Sequence, residues 1–308
     1  MNYKVDIHAD DYALSIKTSE EIFSLMQQGI LDSISIIPNN SCYNECIHYL
    51  TDHIKDLTYL PQMSVHINLV EGLSLSQNDG SLINSTWKSL FLASYNPFKR
   101  RAVKEQLKRE IYCQIKKTQD SIDECIRIAK DLGISVSQKR IRIDSHQHSH
   151  MIPIVWESIT EVLEENGLET EYIRNSKEPL IPFLKHVPLW KSYSIINIVK
   201  NRILWMFSHA PDRYAGDNKQ EKMYLWGLVM SGNMDRERIS VLYESMAKYA
   251  LAHNRRLEIL FHPGRMSEDE MTSEIPRKSA DSFYLSHSRD VEKEGASSLY
   301  NIETPGIV

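Results

Sequence analysis

Cysteine is scarce in this chain, with four in 308 residues. Cys42, Cys46, Cys113 and Cys125 are too few and too scattered for a disulfide scaffold. Cys42 and Cys46 could share one side of a helix, yet no second Cys/His pair nearby completes a zinc site, so they read as ordinary buried thiols. Long apolar runs are missing too. No stretch approaches the roughly 20 apolar residues of a membrane span. Met1-Asn2-Tyr3-Lys4 leads directly into a strand pattern with no signal peptide, so a cytoplasmic protein without a membrane partner is expected. Nor is positive charge in excess. The formal net charge of -5 gives no electrostatic footing for a nucleic-acid partner, and Lys99-Arg100-Arg101 reads as a solvated helix start. Finally, the first β–α turn lacks Gly-x-Gly-x-x-Gly and no Walker-type loop occurs, which removes the main support for a nucleotide-binding fold.

What is present is a regular alternation of short apolar runs and amphipathic helical stretches. Strands are expected at 3–8, 33–38, 64–70, 140–144, 171–174 and 257–261. Helices are expected at about 16–28, 43–54, 155–165 and 236–253, with a charged helical tail near 289–300. Val103, Leu107, Ile111 and Ile115 recur every four residues and mark a long helix to about Leu132, ended by Gly133 as a C-cap. Such alternation implies parallel strands covered by helices, in a doubly wound sheet or a (β/α) barrel. Without repeats or Pro/Gly linkers, 1–308 reads as a single domain. Insertions are expected near 75–100 and 178–222, where periodicity is weak.

The reactive residues gather where strands end. Asp10 and Asp11 follow the first strand, and Asn39 and Asn40 the second. His66 lies in the third; Asp144, His146, His148 and His150 close the fourth; Arg174 closes the fifth and His262 the last. Barrel enzymes place their chemistry at these carboxyl ends. Adjacent carboxylates at a strand end diverge, so one can hold a metal while the other serves as a base, although an aspartate pair can also cap a helix. A histidine inside an apolar strand, like His66, is more often a core residue. Asp144-Ser145-His146-Gln147-His148-Ser149-His150 is different, because alternation lets up to four ligand-type groups share one face. That pattern favours a metal site. His262, entering the turn Phe261-His262-Pro263-Gly264, suits a general acid because imidazole titrates near neutrality. One carboxylate with two imidazoles and open positions for water is a common hydrolytic metal site.

Ala9-Asp10-Asp11-Tyr12, His66-Ile67-Asn68-Leu69, Asp144 to Met151 and Phe261-His262-Pro263-Gly264 together resemble the YdjC-type carbohydrate deacetylases, the chitooligosaccharide deacetylase group. Glu110-Ile111-Tyr112-Cys113-Gln114 is similar as well. The resemblance spans most of the chain except about 75–100 and 178–222. It implies a distorted parallel (β/α) TIM-like barrel, one divalent cation, and removal of acetate from N-acetylglucosamine units of a short oligosaccharide. By position, Asp11, His66 and His146 would be the metal ligands, Asp10 the general base and His262 the acid. Mg2+ is the first candidate and Zn2+ the alternative, since such a ligand set accepts either.

Asp144 would orient a ligand, and His148 and His150 are rival ligands. Arg174 would bind a sugar hydroxyl or carboxylate. Tyr12, Tyr224 and Trp226 are candidate stacking platforms, against the commoner role of aromatics in cores. Two residues depart from the family pattern. His8 stands where Asn is usual, as a modifier of the base or an extra ligand, and Ala13 stands where Gly is usual. Competing readings keep the metal but hydrolyse a phosphoester or cyclic amide, or keep the cavity as an inactive sugar-binding homologue. A homodimer stays open.

Overall fold

The computed structural model describes residues 3–77, 79–83 and 85–303. Seven parallel strands form one curled sheet: β1 (Val5–Tyr12), β2 (Ser33–Ile36), β3 (Gln62–Ile67), β4 (Ile141–Ser145), β5 (Thr170–Ile173), β6 (Met223–Trp226) and β7 (Arg256–Phe261). Their order is β5-β4-β3-β2-β1-β7-β6, the circular order of a barrel left open between β5 and β6. This is a distorted TIM-like α/β barrel. The helices α1 (Ile16–Gln27), α2 (Tyr43–His53), α3 (Trp87–Ser94), α4 (Arg100–Asp131), α5 (Pro153–Glu165), α6 (Ile195–Phe207), α7 (His209–Asp217), α8 (Arg236–Ala252) and α9 (Ser288–Glu303) complete the main elements. Gly133 ends α4 at φ +73° as expected.

Side-chain alternation along the strands explains where the core lies. Val5, Ile7 and Ala9 of β1, Ile34 and Ile36 of β2, and Met63 of β3 enter one apolar cluster. Val65, Ile67, Ile141 and Ile143 enter a second. The alternate residues, Asp6, His8, Asp10, Ser33, Ser35, Ser64, His66, Arg142, Asp144, Tyr172, Arg174 and Glu258, are all buried. Successive strand side chains take opposite faces, so these polar residues fill the concave side, which in most barrels of this class is packed with branched apolar groups.

The stretch 178–222 is helical, holding α6 and α7 after two short turns. Its period is illegible because Ile195, Ile196, Val199 and Met206 of α6 are exposed, so apolar residues do not mark a single inner face. This segment also closes the gap in the sheet. Leu225 N–H donates to the Lys177 carbonyl at 3.0 Å. The buried Glu178 carboxylate accepts from the Gly227, Leu228 and Val229 N–H groups at 2.8, 3.1 and 2.9 Å. β6 itself is a strand that the sequence reading passes over. The excursion at 75–100 contains α3 and is fastened by Glu110, which accepts from Ser74 Oγ and from the Leu75 and Ser76 N–H groups. Arg100 pairs with Glu157 at the start of α4.

Candidate metal centre

Two neighbouring aspartates reach the mouth of the barrel because β1 does not stay regular. Its register with β2 shifts between Ala9 and Tyr12, and Asp11 adopts φ +73°. Asp tolerates this left-handed region better than most residues. The irregularity re-aims Asp11, so both carboxylates face inward. His66 Nε2 lies 3.5 Å from Asp11 Oδ1 and 4.0 Å from Asp10 Oδ2.

Asp11, His66 and His146 form a buried triad whose ligand atoms lie within 4.8 Å of one another. His146 Nδ1 is 3.3 Å from Asp11 Oδ1. That oxygen has no hydrogen-bond partner among the described residues, whereas Oδ2 accepts from Arg289 at 2.9 Å. Burial raises the Asp11 carboxyl, but Arg289 and His146 reverse this and hold it far below the usual range. Burial likewise depresses the His146 imidazole, and Asp11 and Glu71 more than offset it. An ionised oxygen facing two imidazole nitrogens without a hydrogen bond is a place that calls for a cation. These residues therefore fit a divalent ion. The other nitrogen of each ring is secured, His66 Nδ1 by Asp144 at 2.7 Å and His146 Nε2 by Tyr284 at 2.8 Å.

A second triad, His8, Asp10 and Asp144, has equally close atoms but is already filled. Arg174 grips Asp10 with two bonds of 2.9 Å and reaches Asp144 at 3.1 Å and Glu258 at 2.7 Å. Burial would raise the Asp10 carboxyl, yet Arg174 and then the histidines hold it well below the ordinary range. Arg174 is fully buried and its guanidinium is taken up by Asp10, Asp144 and Glu258, where contact with a sugar was the expectation.

The His-rich run also differs from expectation. β4 stops at Ser145, and His146 to Met151 form a tight turn with Gln147 and His148 at φ +53° and +55°. The three histidines consequently diverge rather than share a face. His148 Nδ1 lies 2.9 Å from Ser176 Oγ and borders the cavity. His150 is fixed by Ser145 at 2.6 Å and by the Arg174 carbonyl at 2.9 Å, and burial pushes its imidazole down to about 4. It is a structural histidine. Tyr12 and Trp226 are fully buried and Tyr224 nearly so, so the proposed stacking platforms are core residues. Asn39 and Asn40 tie loops together through backbone carbonyls.

His262 borders the same cavity of about 740 Å³ as Asp10, Asp11, His66 and His146. Its Nε2 is 4.0 Å from Asp10 Oδ2 and its Nδ1 3.0 Å from Glu292. A larger hollow of about 880 Å³ between α5 and α7 contains none of these groups. Glu71, Tyr284, Arg289 and Glu292 support the site and were not anticipated. Lone residues in helices and turns leave no local sequence signal.

Residues 4–125 and 131–297 match the YdjC-like protein family. The chain belongs to the YdjC-like family. A carbohydrate deacetylase of Oceanobacillus iheyensis is 23% identical over 266 residues, covering 86% of this chain and 87% of that protein. A solved structure from Enterococcus faecalis V583, described as a candidate cellobiose-phosphate cleavage protein, aligns with a TM-score of 0.46 and 16% identity over 97% of this chain and 99% of that chain.

Within this YdjC-like chain both departures acquire a physical meaning. Ser33 Oγ donates to Asp6 and Ser35 Oγ to Asp144, and each of these hydroxyls lies 2.6 Å from a nitrogen of the His8 ring. His8 thus has no nitrogen free for a metal, and it helps lower the Asp10 carboxyl. Ala13 sits at φ +67°, a conformation that costs an L-residue about 1–2 kcal/mol and a glycine far less.

Proposed function

We propose that this chain is a metal-dependent deacetylase acting on N-acetylated carbohydrates of the N-acetylglucosamine type, in short oligosaccharides. The observation carrying this reading is the unpartnered Asp11 Oδ1 between two imidazoles, flanked by an ionised carboxylate and a partly exposed imidazole on one cavity. Family membership supports it. Asp11, His66 and His146 would hold the ion, with Mg2+ the first candidate and Zn2+ the alternative. Bound there, a divalent ion supplies a Lewis acid for the amide carbonyl and lowers the pKa of a coordinated water.

The chain's own residues do the rest. Asp10, kept ionised and aimed by Arg174, receives the proton of the attacking water. His262 Nε2 faces the cavity and delivers a proton to the departing sugar amine, while Glu292 fixes the ring through Nδ1. Asp144 holds His66 with its Nε2 turned toward Asp11. The chain acts as a single domain in this reading. No helix among the described residues is long and apolar enough to cross a membrane.

The test is acetate release. Purified protein loaded with Mg2+ or Zn2+ is incubated with N-acetylated chitooligosaccharides, and free acetate is measured. Release that stops on chelation and returns with metal is the expected result. Sugar binding without acetate would sink the enzymatic reading, and turnover only of phosphoesters or cyclic amides would replace the substrate.

A further inference from the structure

Deepening the metal-site reading above, we propose that Tyr284, backed by Glu71, is a positioning residue that fixes His146 as its Nε2–H tautomer, so that Nδ1 is the nitrogen presented to the metal. The argument follows the protons. Tyr284 Oη touches two partners, the Glu71 carboxylate and His146 Nε2, the latter at 2.8 Å. A phenol has a single proton to donate. An ionised carboxylate can only accept, and a hydrogen bond to an ionised acceptor is roughly twice as strong as a neutral one. The phenolic proton therefore goes to Glu71. That leaves the phenol oxygen as an acceptor toward His146, and His146 Nε2 must carry the hydrogen.

The opposite arrangement fails at Nε2. With hydrogen on Nδ1, the bare Nε2 would face Glu71 Oε1 at 3.4 Å, lone pair against anion, and would compete for the same phenolic proton. Nδ1 is the nitrogen that faces Asp11 Oδ1, at 3.3 Å. The two histidines of the triad thus use opposite nitrogens. Asp144 secures His66 at Nδ1 and frees Nε2, whereas Tyr284 secures His146 at Nε2 and frees Nδ1. Their rings meet at 69° with centroids 5.7 Å apart, so both free nitrogens can converge on the oxygen.

Tyr284 is fully buried, at the wall of the cavity that Asp11, His66 and His146 also border. Outer partners of metal-bound histidines commonly govern affinity by about 10–100-fold.

The first experiment needs no variant. In metal-free protein labelled with 15N-histidine, at alkaline pH, long-range 1H–15N correlation identifies which ring nitrogen of His146 carries hydrogen, the signal being assigned with His146→Gln. The expected result is Nε2–H; an Nδ1–H ring overturns the proposal. In the double variant Tyr284→Phe/Glu71→Ala, which removes both groups facing Nε2, the preference should weaken, and calorimetric titration with Mn2+ should show affinity reduced by about 10–100-fold. Unchanged tautomer and affinity in that variant would also overturn it. Should the variant fail to fold, the wild-type spectrum still decides. Wild-type protein that binds no Mn2+ would instead sink the metal-site reading, whereas metal binding without acetate release would sink only the substrate.

Discussion

Asp11/His66/His146 and His8/Asp10/Asp144 lie side by side in the barrel, each made of buried imidazoles and carboxylates within ligand distance of one another. Composition does not distinguish them. Occupancy by the protein's own charges does. Arg174 fills the second group and binds both of its carboxylates. In the first group, Arg289 takes one oxygen of Asp11 and leaves the other bare. A ligand-type oxygen is left for a metal only where the built-in cations do not take it up.

The largest test exchanges the neighbouring aspartates. Asp10→Asn should lower deacetylase turnover by about 10²–10⁴-fold, the range typical of general acid–base catalysis, with metal content unchanged. Asp11→Asn should empty the metal site, as measured by elemental analysis after gel filtration. If Asp10→Asn emptied the site and Asp11→Asn did not, the roles of the two groups would be reversed.

A second test removes the built-in cation. Arg174→Met leaves Asp10, Asp144 and Glu258 buried without their shared partner. Breaking such a network typically costs about 3–5 kcal/mol, to be read from urea denaturation. A loss below about 1 kcal/mol would mean the guanidinium does not balance the group as described.

Smaller still is the acid response of this balanced region. Asp6, Asp10 and Asp144 are all held below the ordinary carboxylate range; burial opposes this, but nearby arginines and histidines prevail. Groups with depressed folded pKa values add stability that is complete above the unfolded value, near pH 4, and is lost as pH falls through the folded values. Unfolding free energy should therefore decline below about pH 4, by at most about 1.4 kcal/mol per pH unit for each group. Arg142→Met, which removes the partner 3.2 Å from Asp6, should flatten that decline. An unchanged slope would exclude Asp6 as a contributor. The smallest effect belongs to Ala13→Gly, beyond the bulge that serves both triads. Relief of the positive φ against the greater chain entropy of glycine should add less than about 1 kcal/mol, measured as a rise in Tm.

Much of this arrangement was legible in the sequence, for particular reasons. Helix bounds such as Ile16–Gln27 and Arg236–Ala252 follow from one-sided apolar spacing. The placement of Asp10, Asp11, His66, His146 and His262 around one cavity follows from their positions at strand ends. The polar interior was also written in the sequence, as the alternation Val5-Asp6-Ile7-His8-Ala9-Asp10 and Ile141-Arg142-Ile143-Asp144. A reading that takes strands only as apolar runs misses it. β6 escaped because Met223–Trp226 has only four residues and follows a segment with no clear period. Tyr284, Arg289 and Glu292 escaped because their importance is purely tertiary: Arg289 meets a partner 278 positions away.

That separation has a consequence for how the protein is made. β1 leaves the ribosome before the segment supplying Tyr284, Arg289 and Glu292. At about 5–20 residues per second, Asp11 waits roughly 14–56 s for its guanidinium. Throughout that interval a nascent chain holds the aspartate and imidazole side chains but not the groups that aim them. The organised centre thus forms only once the segment carrying Tyr284, Arg289 and Glu292 has been made, and a chain truncated before Tyr284 would carry most of a barrel with Asp11 and His146 left undirected.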